Sequence, residues 1–133
     1  MVMHNPYATY QNNTVTTSTP GELTLMLYNG CLKFIQQAKK ATDAGDIAEK
    51  NTAIQKAQAI ISELMITLDA SFPVAKDMLV LYEFANSRLI EGNIKNDTKL
   101  FDEASDIIKE FRDTWKQVIQ LNRQKQYGNV SEI

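Results

Sequence analysis

TPGELTLMLYNGCLKFIQQAKKA, residues 19 to 41, carries a helix-start signature at its head. Thr19 suits the N-cap, Pro20 the first helical position, and Glu22 the third, where its carboxylate closes a capping box. Wound at about 100° per residue, Leu23, Leu27, Cys31, Phe34, Ala38 and Ala41 form one apolar stripe, and Leu25, Tyr28, Leu32 and Ile35 a second beside it. The two stripes cover roughly 200° of the circumference, whereas a core-facing surface helix needs about 100°. This helix is therefore either wedged between two neighbours or keeps part of its apolar face for a partner.

Similar patterns recur downstream. Gly45 stops the first helix, and Asp46 with Glu49 restarts a second. There Ile47, Ile54, Ala57, Ile61, Leu64 and Leu68 share a face. Ala70-Ser71-Phe72-Pro73 breaks the pattern, because proline restrains its predecessor from helix yet is welcome in a first turn. In a third helix Val74, Met78, Leu81, Tyr82, Ala85 and Leu89 share a face, with Leu79, Val80, Phe84 and Ile90 scattered around it. Gly92-Asn93 reads as its stop, and Asn96 or Asp97 as the next cap. The last helix carries Leu100, Ala104, Ile107, Ile108, Phe111, Trp115 and Val118 on one side, and extends to about Lys125.

Four helices joined by links of about 3 to 5 residues pack antiparallel, since short links leave no room for a crossover. The expected fold is all-α: an antiparallel up-and-down four-helix bundle over residues 19–126, with an extended N-terminal arm (1–18) and a flexible tail (127–133). The arm, rich in asparagine and threonine, has too few large side chains to build a core. It either frays or docks through Tyr7, Tyr10 and Val15.

Composition narrows the function. At 133 residues the chain is one domain, with 14 basic against 16 acidic side chains, so it lacks the positive footprint that grips a phosphate backbone. No nucleic acid is expected as partner. The single Cys31 cannot form an internal disulfide, and neither a signal-peptide core nor an apolar run of about 18 residues is present. A cytosolic protein without membrane insertion is expected.

Catalysis fails on inventory. The only histidine, His4, lies in the arm, and the Glu-x-x-His pairs of diiron bundles are missing. With no phosphate-binding glycine loop, no paired cysteines and no haem attachment motif, no catalytic residue, metal or cofactor is expected. Cys31 reads as a small buried hydrophobe. Gly30, inside the first helix, marks either a close approach to its backbone or a tolerated weak spot.

Tyr10, the run Thr16 to Leu23 (TTSTPGEL), Met26-Leu27-Tyr28-Asn29-Gly30, Lys56-Ala57, Ile60-Ile61, Glu63-Leu64, Leu81-Tyr82-Glu83-Phe84, Arg88-Leu89, Asn96-Asp97 and Trp115-Lys116-Gln117 occur in an order that resembles the flagellin export chaperone family. The resemblance covers nearly the whole chain. It departs at Ser71-Phe72-Pro73, where the family often has paired glycines. It implies a helical bundle whose outer apolar grooves receive the C-terminal segment of flagellin, preventing premature polymerisation, with the loaded complex delivered to the flagellar export gate. It also implies that the chaperone's own arm can occupy part of the groove when free. Carried to this sequence, the client-binding residues are Tyr7, Tyr10, Val15, Leu25, Tyr28, Leu32 and Ile35. The rival reading is a self-associating structural or signalling bundle whose surplus apolar face closes a homodimer.

Overall fold

A computed structural model describes the backbone over residues 20–131 and the side chains over 21–125. It contains four helices: α1 (Pro20–Asp43), α2 (Ile47–Thr67), α3 (Ala75–Lys95) and α4 (Thr98–Ser131). Each packs on its neighbours in a closed ring, α1 on α2, α2 on α3, α3 on α4 and α4 back on α1. Short links make successive helices antiparallel, so the up-and-down bundle expected from the sequence is the fold. The α1/α2 seam is the most extensive and the α2/α3 seam the least.

The turns follow local chemistry. Gly45 has φ 73, a left-handed conformation that glycine adopts without steric penalty, and the Asp46 N–H donates to Ala41 O across the end of α1. Asp46 then caps α2, its Oδ1 accepting from Glu49 N at 3.1 Å. The α3 stop differs from the expected Gly92-Asn93. The helix runs on to Lys95, and Asn96 ends it with φ 53, while Asp97 Oδ1 accepts from Lys99 N at the start of α4. Gly92 lies inside α3 because Phe101 packs against its backbone: a Cβ there would stand 2.8 Å from the ring. Lys50 of α2, 4% exposed, fastens this turn by donating from Nζ to Asn93 O and Asn96 Oδ1. α4 also continues past Lys125 to Ser131, through Gly128.

The core is built from Leu27, Tyr28, Cys31, Ile35 and Ala38 of α1, Ile54, Ala57, Ile60, Ile61 and Leu64 of α2, Tyr82, Ala85 and Leu89 of α3, and Phe101, Ala104 and Ile108 of α4. On α1 the buried arc straddles both stripes read from the sequence, taking Leu27, Cys31, Ala38 and Ala41 from one and Tyr28 and Ile35 from the other. α1 is wedged between α2 and α4, and this is what its wide apolar face serves.

Candidate client groove

The sequence-derived site residues separate on this fold. Tyr28 and Ile35, 2% and 1% exposed, are interior. Leu25 and Leu32 are half-buried and, spaced by seven from each other and from Lys39, lie on the flank of α1 beside α4, to which Lys39 is tied by its ion pair with Asp102. Tyr7, Tyr10 and Val15 lie outside the described residues.

Outward apolar surface gathers elsewhere. Phe72, Val74, Val80, Leu81, Phe84, Ile90 and Ile94 are all exposed, and all belong to α3 or the link before it. An α3 that is apolar around most of its circumference is the sequence signal for this. It was visible as hydrophobic residues scattered off the main face.

Beside this surface, α3 and α4 leave a furrow of about 360 Å³. Val74, Met78 and Leu81 form one wall, and Ile107, Thr114 and Val118 are among the residues of the other, with Tyr28 reaching from α1 to the floor. Phe111 shares that floor, its ring stacked with Tyr28 at a centroid distance of 6.0 Å and tilted on Tyr82 at 4.8 Å. From Ile107 to Val118 the α4 wall measures about 16 Å at 1.5 Å per residue, room for about three turns of a guest helix. Trp115 also lines the furrow, and its Nε1 donates to Gly21 O at 2.8 Å, which sets the N-terminal turn of α1 beside it. Further along α3, the Arg88 guanidinium lies 5.1 Å from the Phe84 ring and pairs with Glu91 and Glu103, giving the apolar surface a charged border.

Underneath, the Tyr28 and Tyr82 hydroxyls lie 2.6 Å apart. Burial holds both phenols above their usual value, so both stay neutral at physiological pH. The Cys31 thiol, wholly buried, is pushed up to about 12 by desolvation. Among the described residues no cluster of histidine, cysteine, aspartate or glutamate has the arrangement of a metal site. No described helix is long and apolar enough to cross a membrane. The arrangement is suited to holding an apolar helix.

Comparison with known proteins identifies relatives of this chain. Residues 3–122 match the family model described as flagellar protein FliS. The flagellar secretion chaperone FliS of Bacillus subtilis strain 168 is 47% identical over 129 residues, covering 97% of each chain. The flagellar secretion chaperone FliSB of Pseudomonas aeruginosa is 36% identical over 103 residues, 76% of this chain and 82% of its own. That of Salmonella typhimurium is 28% identical over 107 residues, 78% and 79% of the two chains.

Proposed function

This chain belongs to the flagellar protein FliS family, whose members are chaperones rather than enzymes, and from that premise we propose that it is a cytosolic chaperone holding the C-terminal segment of flagellin in the α3/α4 furrow. The observation that supports this is the furrow itself: an aromatic-floored channel between two helices, about as long as three helical turns, bordered by exposed apolar side chains. Helix-in-groove binding needs anchors at i, i+3, i+4 and i+7 from the guest, and the channel accommodates that span. Leu25 and Leu32, half-exposed beside α4, extend the contact as the client wraps the bundle. Tyr28 contributes its ring to the floor, while Ile35 supports the surface from within.

Flagellin ends that assemble by packing apolar helical faces associate prematurely if those faces stay bare, and covering them keeps the chain secretable. Ordering such a segment costs about 2 to 5 kcal/mol of the contact energy, which tempers affinity and eases release. Residues 1–18, joined in sequence to the start of α1, compete for the same channel through Tyr7, Tyr10 and Val15. A short flexible tether supplies them at an effective concentration on the order of millimolar. Delivery to the export gate follows loading.

Sedimentation velocity of the purified protein, alone and with a flagellin C-terminal peptide, tests this. A single faster-sedimenting complex that forms only with the peptide is expected. A stable dimer that ignores the peptide would establish the self-associating reading instead.

A further inference from the structure

Tyr28 and Tyr82 bring two hydroxyl protons to one buried contact, and the 2.6 Å approach between their oxygens uses only one of them. Among the described residues neither oxygen has another hydrogen-bond partner. Both residues are 2% exposed, and a buried hydroxyl proton left without an acceptor is costly. Only Tyr28 of the two lines the furrow. If Tyr28 donates to Tyr82, the spare proton sits on a residue that does not line the furrow; if Tyr82 donates to Tyr28, it is carried by the residue that reaches the furrow floor.

We infer that Tyr28 is a specificity-determining donor, oriented by Tyr82 and donating to a side-chain amide or hydroxyl oxygen on the otherwise apolar face of the bound helix. The inference rests on the proposed helix-in-groove binding of flagellin. The acceptor is a side chain because a helix spends its interior carbonyls on its own backbone. It is neutral because a carboxylate would have to be desolvated against Phe111, Met78 and Leu81. Tyr82 is a positioning residue, since it touches Tyr28 rather than the client. The consequence is selection against amphipathic helices at large: a guest with only aliphatic side chains over this point leaves the proton unpaired, and so binds less well than its apolar area implies.

The test uses the full chain and a flagellin C-terminal peptide, with a leucine-and-alanine-faced amphipathic helix as control guest. Tyr28→Phe and the double variant Tyr28→Phe/Tyr82→Phe are expected to bind the flagellin peptide about tenfold more weakly, the loss of roughly one hydrogen bond. Tyr82→Phe, which leaves the Tyr28 proton free to donate, stays within about threefold of wild type, and the control guest binds Tyr28→Phe and the double variant as tightly as wild type or up to about tenfold more tightly, because no proton is left unpaired. The double variant removes donor and acceptor together, so it folds even where the single change strains the pair. A Cζ resonance of Tyr28 that shifts when the flagellin peptide is added gives a readout that a purely structural tyrosine would not. Wild-type binding with an unchanged Kd in the folded double variant overturns the donor role alone. A wild-type chain that never binds the peptide overturns the flagellin reading on which the inference stands.

Discussion

Two glycines inside helices have opposite roles, and their neighbours decide which. At Gly30 a Cβ would meet only Ile60 Cδ1, at 3.4 Å, an ordinary contact. The cost of glycine in a helix is then unoffset, and Gly30→Ala is expected to stabilise the bundle by up to about 1 kcal/mol in urea melts. At Gly92 the same methyl would press on Phe101 at 2.8 Å and on Asp97 O at 3.1 Å, so Gly92→Ala is expected to lower stability by about 1 to 3 kcal/mol. The sequence reading takes Gly92 for a helix stop, because a glycine chosen for close approach and one chosen for a left-handed turn look the same in one dimension. The buried tyrosines set a pH limit. Their phenols titrate above the usual value of 10.0 in the folded state, so their stabilisation is full below pH 10 and is lost as the pH climbs through the raised values. Denaturation monitored from pH 8 upward should show a steeper fall in wild type than in Tyr28→Phe/Tyr82→Phe. Cys31, buried with its thiol pushed up to about 12, is expected to resist a water-soluble alkylating reagent until the chain is unfolded.

At the level of elements, the number, order and antiparallel sense of the helices were legible because each has a 3.6-residue pattern and the turn at Gly45-Asp46 carries its own stop and cap. The allocation of surplus apolar surface was not. α1 shows the broadest contiguous face in sequence, yet packing against both α2 and α4 hides most of it, and Tyr28 and Ile35 end in the core. α3 looks ragged by comparison, and only the assembled bundle shows Leu81 and Phe84, at 42% and 46% exposure, turned outward. Substitutions on the two helices should therefore behave differently. Leu81→Asp is expected to weaken capture of a flagellin C-terminal peptide at least about tenfold while the circular dichroism melt hardly moves. Tyr28→Ala, a large deletion in the core, is expected to cost about 3 to 5 kcal/mol of stability before any effect on binding is read.

For the whole molecule, the described core lies between Leu27 and Ile108, and the described α1 begins at Pro20. Deleting residues 1–17 is expected to preserve a cooperative thermal melt and, on the proposal that this segment competes with the client, to raise apparent client affinity. Among the described residues α3 carries the most exposed large hydrophobic side chains, and the proposed function places the client in the α3/α4 furrow beside them. Methyl-resolved NMR of the full chain, titrated with a flagellin C-terminal peptide, tests this most directly. Saturable shifts centred on Met78, Leu81, Ile107 and Val118 are predicted; shifts confined to other faces of the bundle, or none at all, would contradict it.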